Sequence, residues 1–271
     1  MPRTVWFFWS QGLSEAPQVV RKCYESWTER NPGWRVVVLD KQRLAEFASA
    51  DYGAGPVGRL PGRLQADLAR LDLLARHGGV WADATCFCVR PLDDWLLPCL
   101  PSGFFAFDRP GPDRLLSTWF LAAQPGNALV SETFALMRDY LSRPMRLDEH
   151  AFLVKALTRL LRGRPRTRGW WFDPALRAGL GAVPYFALHY GFEKVIGADP
   201  GAAEIWRQTP RISADGPHRL ITTGLLARVP DVIRAEIDRR EVPVYKTSWK
   251  LGTTAIPADS VLGYLLGTVG N

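Results

Sequence analysis

Strand-length apolar runs alternate with helical patterns in the first part of the chain. The runs "TVWFFW" and "WRVVVLD" are short and continuous, which predicts strands buried on both faces. The stretches "APQVVRKCYESWTERNPG" and "KQRLAEFAS" follow these runs in turn and carry apolar residues at helical spacing. The order strand, helix, strand, helix predicts a parallel sheet with helices on its faces.

A third strand follows the strongest helical pattern. The stretch "RLQADLARLDLLARH" has an apolar stripe along one helix face, and "GGVWADAT" then begins with two glycines and ends its apolar run on Asp83. Ligands of parallel sheets bind beyond the carboxyl ends of the strands. We therefore expect "SQG" after the first strand, Asp40 after the second and Asp83 after the third to share one edge.

The rest of the chain becomes mostly helical. The segments "GFFAF" and "STWFLAA" predict two more strands, and "NALVSETFALMRDYLS" predicts a helix capped by its first residue, an asparagine. Helical patterns dominate after residue 145, and no repeat or low-complexity linker separates the parts. We predict a single α/β domain over residues 1–271, with a mostly parallel central sheet flanked by helices and a helical C-terminal elaboration.

Composition and charge narrow the partners and the location. A formal net charge of +7 favours anionic partners, whereas 47% hydrophobic residues are ordinary for a globular chain. Basic residues are scattered apart from the loop 162–168, and no RNA or DNA motif is present, so nucleic acid is not an expected partner. The N-terminal apolar run is too short for a signal peptide, and no segment reaches the roughly 18 apolar residues of a membrane span. We expect a cytoplasmic protein, with peripheral association to the inner membrane face as an option.

Four cysteines occur without the two-residue gap of a zinc knuckle or a redox pair: Cys23, Cys86, Cys88 and Cys99. We expect them to be reduced and mostly buried. Cys86 and Cys88 stand two apart on a predicted strand and point the same way, so half of a zinc site is an alternative. No second Cys or His pair stands at ligand spacing.

The candidate chemistry lies around the third strand. Asp67 and Arg70 stand three apart on the helix, so they form a surface ion pair or face one cleft together. Gly78 suits a helix cap, and a second glycine, Gly79, suggests that something approaches the backbone closely. Asp83 at the end of a buried strand suits a hard cation that also holds phosphate oxygens, the alternative being a turn or cap aspartate.

With these residues the sequence resembles a known family. The stretch "ADLARLDLLARHGGVWADAT" is similar to the donor-site block of nucleotide-sugar glycosyltransferases of the GT-A fold, especially the capsular polysaccharide synthesis proteins and the family 32 α-mannosyltransferases and toxins. In those proteins an Asp-x-x-Arg helix precedes Gly-Gly-x-(Tyr or Trp)-x-Asp-x-Asp. The matching positions are Asp67, Arg70, Gly78, Gly79, Trp81 and Asp83. Thr85 replaces the second aspartate. The resemblance covers the first half of the chain well and the second half weakly.

The resemblance implies a fold and an activity. It implies a Rossmann-like GT-A domain in which residues 1–145 bind the nucleotide sugar and residues 146–271 form the acceptor side and a closing segment, which the stretch "VYKTSWKLG" at 244–252 resembles. It also implies a hexosyl transfer from a UDP- or GDP-sugar to a glycan, a lipid-linked acceptor or a small molecule, as in surface polysaccharide synthesis. Family relatives retain the anomeric configuration, and no second carboxylate is evident as a nucleophile, so we expect front-face transfer.

Individual roles follow from the same resemblance. The implied catalytic residues are Asp83, Asp67 and Arg70. Mn²⁺ or Mg²⁺ would be held by Asp83 and Thr85, with His189 completing the site, although Thr85 brings no charge and weakens the cation's affinity. The implied donor-binding residues are Trp9, Ser10, Gln11, Asp67, Arg70, Gly79, Asp83, Ala84, Lys246, Ser248, Trp249 and Lys250.

Plainer interpretations stay open for several of these residues. His189 in an aromatic stretch is also typical of a core histidine, and Lys246 and Lys250 are also typical of solvated lysines. The basic loop Arg162–Arg168, followed by Trp170 and Trp171, either holds an anionic or lipid-diphosphate-linked acceptor or is simply solvated. At the level of function, the alternatives are a non-catalytic nucleotide-sugar-binding protein, suggested by Thr85, a nucleic-acid-binding protein, and a glycoside hydrolase, for which no carboxylate pair stands out.

Overall fold

The computed structural model describes residues 1–53, 55–147, 149–251 and 255–270. Strands and helices follow the predicted order through the first half, and the second half is mostly helical. In chain order the elements are β1 (Thr4–Phe8), α1 (Gln18–Arg30), β2 (Arg35–Leu39), α2 (Lys41–Phe47), α3 (Gly62–His77), β3 (Gly79–Asp83), β4 (Cys86–Cys88), β5 (Phe104–Gly111), β6 (Arg114–Ala123), α4 (Ala128–Ser142), α5 (Phe152–Leu161), α6 (Pro165–Arg168), α7 (Pro174–Leu180), α8 (Ala187–Ala198), α9 (Pro200–Gln208), α10 (Asp215–Thr223), α11 (Asp231–Asp238), β7 (Val244–Lys246) and α12 (Val261–Leu266).

The central sheet has the strand order β2, β1, β3, β6, β5. Strand β1 is parallel to β2 and β3, whereas β6 is antiparallel to both β3 and β5. Four of the five strands therefore run the same way. The predicted α/β class with a mostly parallel sheet is confirmed, and the antiparallel strand arises because the short β5–β6 connection forms a hairpin.

Both faces of this sheet are covered, which explains the continuous apolar strands. Trp6 and Phe8 pack on one face with residues of α3, α4 and α8. Val5 and Phe7 pack on the other face with residues of α1 and of the C-terminal helices α10 to α12. Alternate residues of a strand point to opposite faces, so a strand with a core on each side must be apolar throughout.

A second, two-stranded sheet joins the first half of the chain to its last quarter. The chain turns at residues 84–85 after β3, and β4 then pairs antiparallel with β7. Cys86 stands opposite Lys246 in this register. The pairing brings the C-terminal strand to the edge where Asp83 lies.

The cysteines are all free and buried, which confirms the expected reduced thiols. Cys86 donates to the carbonyl of Trp119 at 3.4 Å, and Cys88 to the carbonyl of Arg90 at 3.2 Å. Among the described residues no group of three His, Cys, Asp or Glu side chains is placed to hold a metal. The zinc alternative for Cys86 and Cys88 is therefore not supported. In the described ranges no helix is both long and apolar enough to cross a bilayer.

Candidate functional site

Asp83 lies at the carboxyl edge of the sheet, as the strand order predicts. It is the last residue of β3 and stands beside Phe8 of β1, which in turn pairs with Leu39 of β2. Asp40 follows Leu39 at the same edge, but its carboxylate caps α2 by accepting the N–H groups of Gln42 and Arg43 at 2.9 and 2.8 Å. Asp40 is thus a helix cap, and Asp83 is the carboxylate left to face the edge.

Three groups hold the Asp83 carboxylate. Its Oδ1 accepts the indole N–H of Trp81 at 2.9 Å and lies 3.5 Å from the Arg70 guanidinium. Its Oδ2 lies 3.1 Å from Nζ of Lys246. Burial raises the pKa of Asp83, but the charges of Lys246 and Arg70 outweigh it and hold that pKa below its ordinary value. The side chain keeps 26% of its surface exposed, so this ionised carboxylate is accessible.

Lys246 joins Asp83 to Thr85. Its ammonium donates to Oδ2 of Asp83 at 3.1 Å and to Oγ1 of Thr85 at 2.5 Å, and we refer to these three side chains as the Asp83–Lys246–Thr85 cluster. Thr247 fixes the segment, because its N–H and hydroxyl both donate to the carbonyl of Thr85, at 2.7 and 2.9 Å. Burial lowers the pKa of Lys246, but the Asp83 carboxylate outweighs it and the pKa lies above its ordinary value.

Arg70 and Asp67 form a buried pair behind this cluster. Arg70 lies 3.0 Å from Oδ1 of Asp67, donates to the carbonyls of Ala66 and Thr118, and stacks over the Trp81 ring at 5.2 Å. Both side chains are more than nine-tenths buried, so the surface-pair alternative is excluded. Burial raises the pKa of Asp67 above its ordinary value, against the opposing charges of Arg70 and Arg63.

Two tryptophans form an aromatic wall beside the edge. Trp9, which follows β1, meets Trp249 edge to face with ring centroids 5.6 Å apart. The indole N–H of Trp9 is buried and has no hydrogen-bond partner among the described residues, whereas Trp249 is 46% exposed. Lys250 lies 5.9 Å from the Trp249 ring. The structure thus brings Trp9, which follows β1, into contact with Trp249 of the closing segment.

Other donor-binding candidates lie around this wall. The Ser10 hydroxyl donates to Oε1 of Gln11 at 2.7 Å, and Ser248 accepts the N–H of Lys250 at 3.2 Å. Ala84 is buried in the turn directly after Asp83. Ser10 and Gln11 follow Trp9 in sequence, whereas Ala84 and Ser248 lie near members of the cluster. The hydroxyl groups of Ser10 and Ser248 bond to Gln11 and Lys250 and not to the cluster.

Gly79 does not belong to this edge. It begins β3, four residues before Asp83, so it lies roughly 13 Å away at the other end of the strand. Its φ is +94°, and a Cβ there would lie 2.6 Å from the carbonyl oxygen of Thr4. The close approach predicted from the second glycine is therefore that of β1 and not of a ligand, and the donor-binding assignment of Gly79 is corrected.

His189 is part of the packing behind the site. Its Nε2 lies 3.3 Å from the Thr118 hydroxyl, and its ring meets Phe186 edge to face. Burial, with the nearby charges of Arg114 and Arg70, lowers the pKa of His189 to about 3. This is the neutral core histidine of the alternative interpretation.

The donor set does not fit the expected Mn²⁺ or Mg²⁺ in this arrangement. The oxygens of Asp83 and Thr85 are already bridged by the Lys246 ammonium, and His189 contacts Thr118. No group of three carboxylate, imidazole or thiol side chains close enough for a metal occurs in the described residues. A divalent oxygen-ligand site needs more charge and more oxygens than one paired carboxylate and one hydroxyl supply.

Two contributors to the site, Arg63 and the Thr118 carbonyl, were missed from the sequence, and a third, Trp81, was matched to the motif without its hydrogen bond to Asp83. Trp81 stands two residues before Asp83 on the same strand face, and Arg63 stands four residues before Asp67 on the helix, so both spacings were signals. Arg63 lies 3.1 Å from Asp67 and also pairs with Glu149. The Thr118 carbonyl that receives Arg70 left no signal, because any residue carries a carbonyl.

A basic cavity of about 540 Å³ lies between the β5–β6 hairpin and the helical half. Its charged lining residues are Arg109, Arg114, Arg168, Glu193 and Asp215. Arg168, the last residue of the predicted basic loop, is buried and grips Glu193 with two hydrogen bonds of 2.6 Å. The loop's other arginines are exposed, as is Trp170, whereas Trp171 is buried. The loop is thus partly structural and partly solvated.

Comparisons with known proteins agree with the motif. The model of a family described as capsular polysaccharide synthesis protein matches residues 1–165. The chain is 27% identical over 174 residues to "O-glycosyltransferase braB" of Annulohypoxylon truncatum, covering 56% of this chain and 41% of that protein. It is 31% identical over 174 residues to "Glycosyltransferase afumC" of Aspergillus fumigatus, covering 56% and 44%. The chain thus matches less than half the length of these relatives.

A solved structure, "PaToxG Glycosyltransferase", aligns with a TM-score of 0.40 at 13% identity, over 72% of this chain and 87% of that chain. The family model matches residues 1–165 of the 271-residue chain, which is more than half of it. The chain belongs to the capsular polysaccharide synthesis protein family.

Proposed function

We propose that this chain is a glycosyltransferase that transfers a sugar from a nucleotide-sugar donor to a glycan or other acceptor. The observation that carries the proposal is the Asp83–Lys246–Thr85 cluster at the carboxyl edge of a mostly parallel sheet, where such folds bind nucleotides. The names of the relatives, an O-glycosyltransferase and a glycosyltransferase, support the same activity.

The donor would lie between the cluster and the aromatic wall. Loss of the sugar leaves a nucleoside diphosphate whose growing charge must be stabilised, and Lys246 and Lys250 are the cations of the closing segment. Trp9 and Trp249 offer ring faces and an unpaired indole N–H to the nucleoside. A UDP- or GDP-sugar suits this arrangement.

Asp67 and Arg70 act as positioning residues in this proposal. Both are buried and paired, and Arg70 holds Asp83 through its guanidinium and through the Trp81 ring stacked on it. Asp83, the exposed member, is the carboxylate that would contact the donor.

We place the transfer in the front-face, retaining class. The Asp83 and Asp67 carboxylates are both engaged by cations, which makes either a poor covalent nucleophile. The leaving phosphate would then take the proton of the acceptor hydroxyl as the new glycosidic bond forms and the bond from the sugar to the phosphate breaks. Proton NMR of the first product should show the donor's anomeric configuration, and an inverted product would exclude this mechanism.

The basic cavity suits an anionic acceptor. Its lining holds three arginines and two acidic residues. Arg168 is paired with Glu193 at 2.6 Å, and the ion pairs of Arg109 and Arg114 are longer, at 3.7 and 3.3 Å. A glycan or a lipid-diphosphate-linked sugar in surface polysaccharide synthesis agrees with the description of the family. Measured transfer to such acceptors, compared with neutral sugars, would test this assignment.

The first experiment measures binding of UDP, GDP and their common sugar conjugates through the change that each causes in the thermal unfolding of the protein. A donor at a hundredfold excess over its Kd should stabilise the native state by about 2.7 kcal/mol. Asp83→Asn should lose this stabilisation, whereas Asp139→Asn, at an exposed helix position, should keep it. Absence of a response to every donor in the wild-type protein would contradict the proposal.

A non-catalytic nucleotide-sugar-binding protein is the second candidate, favoured by Thr85 in place of the second aspartate. Both candidates bind the donor, so binding does not separate them. Formation of a glycosylated product that Asp83→Asn abolishes would select the enzyme.

A further inference from the structure

Lys246 occupies the space between the two oxygens where a donor-site metal was expected. Its ammonium lies 3.1 Å from Asp83 and 2.5 Å from Thr85. We propose that Lys246 is the built-in cation of the donor site, so that the protein binds the nucleoside diphosphate without a divalent metal. This inference rests on the proposed function.

Charge balance supports the substitution of a lysine for a metal. Two aspartates would carry two negative charges and suit a divalent cation, whereas Asp83 with Thr85 carries one and suits one ammonium. Asp67, Arg70, Asp83 and Lys246 together carry two charges of each sign. A divalent ion added here would lie beside two fixed cations, and repulsion between like charges at such short range is strong. A diphosphate would instead be attracted by the same cations.

The ammonium has bonding capacity left for the ligand. Lysine has three N–H donors, and Asp83 and Thr85 are its acceptors among the described residues. One donor therefore remains, and 17% of the side chain is exposed. A phosphate oxygen reaching Lys246 would receive a charge-assisted hydrogen bond in a partly desolvated site, where such bonds are strong.

The position of Lys246 is set by backbone pairing and not by a free loop. Cys86 pairs with Lys246 in the β4–β7 ladder, and the next residue, Thr247, donates twice to the Thr85 carbonyl. The lysine of β7 is therefore held beside Asp83 at the end of β3 and Thr85 in the following turn before any ligand binds. Such preorganisation is what a bound metal otherwise provides.

The test measures binding of Mn²⁺ alone, and of UDP and GDP in EDTA or in Mn²⁺, by titration calorimetry. The wild-type protein should show no one-to-one Mn²⁺ binding in the sub-millimolar range and should bind one nucleotide equally well in EDTA. Lys246→Ala should weaken that binding about 10- to 100-fold. Lys194→Ala, at an exposed position, is the control that should bind as the wild type does.

A double variant makes the test reciprocal. Lys246→Ala with Thr85→Asp restores two carboxylates and removes the ammonium, so it should gain Mn²⁺ binding and need Mn²⁺ for the nucleotide. Lys246→Arg should keep metal-free binding, which separates lost charge from a folding defect. One-to-one Mn²⁺ binding by the wild type, with nucleotide binding lost in EDTA, would overturn the inference but leave the proposed function intact. Failure of both nucleotides to bind with and without Mn²⁺ would overturn both.

A separate observation concerns helix α5, whose outer face is apolar. Phe152 is 87% exposed, Leu160 75% and Leu153 47%, whereas Val154 and Leu161 on the opposite side are buried. At 100° per residue these three exposed side chains fall within one stripe about a quarter of a turn wide. The helix therefore packs on the protein through one face and presents an apolar stripe through the other.

The charged side chains along the segment that carries this stripe have one sign. No acidic residue occurs from Ala151 to Phe172, and Lys155, Arg159, Arg162, Arg164 and Arg166 are all exposed. An apolar stripe bordered by cations is the pattern of a helix that lies in an anionic membrane interface. We infer that residues 152–166, which we call the α5 surface, dock onto an anionic bilayer.

Vesicle sedimentation tests the α5 surface with bilayers of phosphatidylglycerol and phosphatidylcholine against phosphatidylcholine alone. The protein should partition onto the anionic vesicles, and more weakly at high salt. Phe152→Ser with Leu160→Ser should weaken partitioning about tenfold, whereas Val232→Ser, an exposed apolar position on α11, should not. Equal partitioning of the double variant, no partitioning of the wild type, or a dimer that the double variant dissolves would each overturn this inference.

Discussion

At the scale of single residues, Arg70 connects the three elements that hold the site. It belongs to α3, and it contacts Asp83 of β3 and the Thr118 carbonyl of β6. Arg70→Ala would leave two carboxylates partly uncompensated in a buried region. We expect a loss of about 3 kcal/mol in the free energy of unfolding, measured by urea denaturation.

The same experiment has an internal control. Asp67→Asn removes the carboxylate paired with Arg70 at 3.0 Å, so the double variant Arg70→Ala with Asp67→Asn should be more stable than Arg70→Ala alone. Asp67→Asn alone completes the cycle, and strictly additive effects of the two substitutions would show that the pair is not coupled.

His189 predicts a distinct acid sensitivity. Its pKa is about 3 in the native state against an ordinary value of 6.5, so the unfolded chain binds a proton that the native protein does not between these values. Stability contributed by the neutral imidazole is present above about pH 6.5 and is lost as the pH falls. Lowering the pH from 7.5 to 5 should cost about 2 kcal/mol from this residue.

Urea denaturation of His189→Gln at the two pH values checks this prediction, because glutamine does not titrate. Asp83, whose pKa is lowered, contributes stability that is lost only as the pH falls below its ordinary value of 3.8, so it does not act in this window. An identical pH dependence of the wild type and His189→Gln would contradict the assignment.

Sequence position explains which residues could be assigned in advance. Asp83 was found because a carboxylate at the end of a buried strand has no packing role. Lys246 stayed ambiguous, because its contact with Asp83 spans 163 positions and no local pattern encodes it. The sequence indicated a close approach at Gly79 but not that β1 makes it. It likewise offered His189 as a ligand without showing that its ring contacts Thr118.

At the scale of elements, the start of β3 depends on a glycine. Gly79 has φ of +94°, and an added Cβ would lie 2.6 Å from the Thr4 carbonyl of β1. Gly79→Ala should therefore push two paired strands apart and cost more than about 2 kcal/mol of unfolding free energy. Thermal or urea unfolding measures this loss.

Gly62 provides the matched control for this substitution. It begins α3, and an added Cβ would meet no atom of the described residues within 4 Å. Gly62→Ala should be neutral or stabilise by about 0.5 kcal/mol. If the two substitutions had equal effects, backbone geometry at Gly79 would not be what limits that position.

The elements of the central sheet were predictable, and the small sheet was only partly so. Continuous apolar runs and helical stripes marked β1 to β3, β5 and β6 and the helices between them. The strand at Cys86–Cys88 was expected, but its partner at Val244–Lys246 is three residues long and far away in sequence. Short strands are stabilised by tertiary pairing and leave little periodicity to detect.

At the scale of the whole molecule, the candidate site depends on contact between the two ends of the chain. The first half supplies Asp83 and Thr85, and the last quarter supplies Lys246 through the β4–β7 ladder. The resemblance covered the first half well and the second weakly, so it named Lys246 as a donor-binding residue but not its contacts with Asp83 and Thr85. The basic cavity lies between the β5–β6 hairpin and the second half, and the α5 surface belongs to the second half, where we propose that specificity for an acceptor resides.

This arrangement predicts how a bound nucleotide changes hydrogen exchange. The N–H of Thr247 donates to the Thr85 carbonyl at 2.7 Å, so it exchanges only when the closing segment leaves the cluster. A nucleotide held by Lys246 and Asp83 binds only the closed form, and at a hundredfold excess over Kd it should slow this exchange about a hundredfold. Mass spectrometry of peptides spanning β4 and β7 would measure it.

The amide of Arg162 serves as the comparison. It donates to the Thr158 carbonyl at the end of α5, and opening of this bond leaves the donor site intact. Its exchange should not respond to the nucleotide. Protection restricted to the first half, with Thr247 unchanged, would mean that the donor binds without the closing segment and that Lys246 does not hold the diphosphate. Protection of both strands of the ladder together would instead show that the ligand joins the two ends of the chain, because only a group that reaches Asp83 and Lys246 at once can oppose their separation.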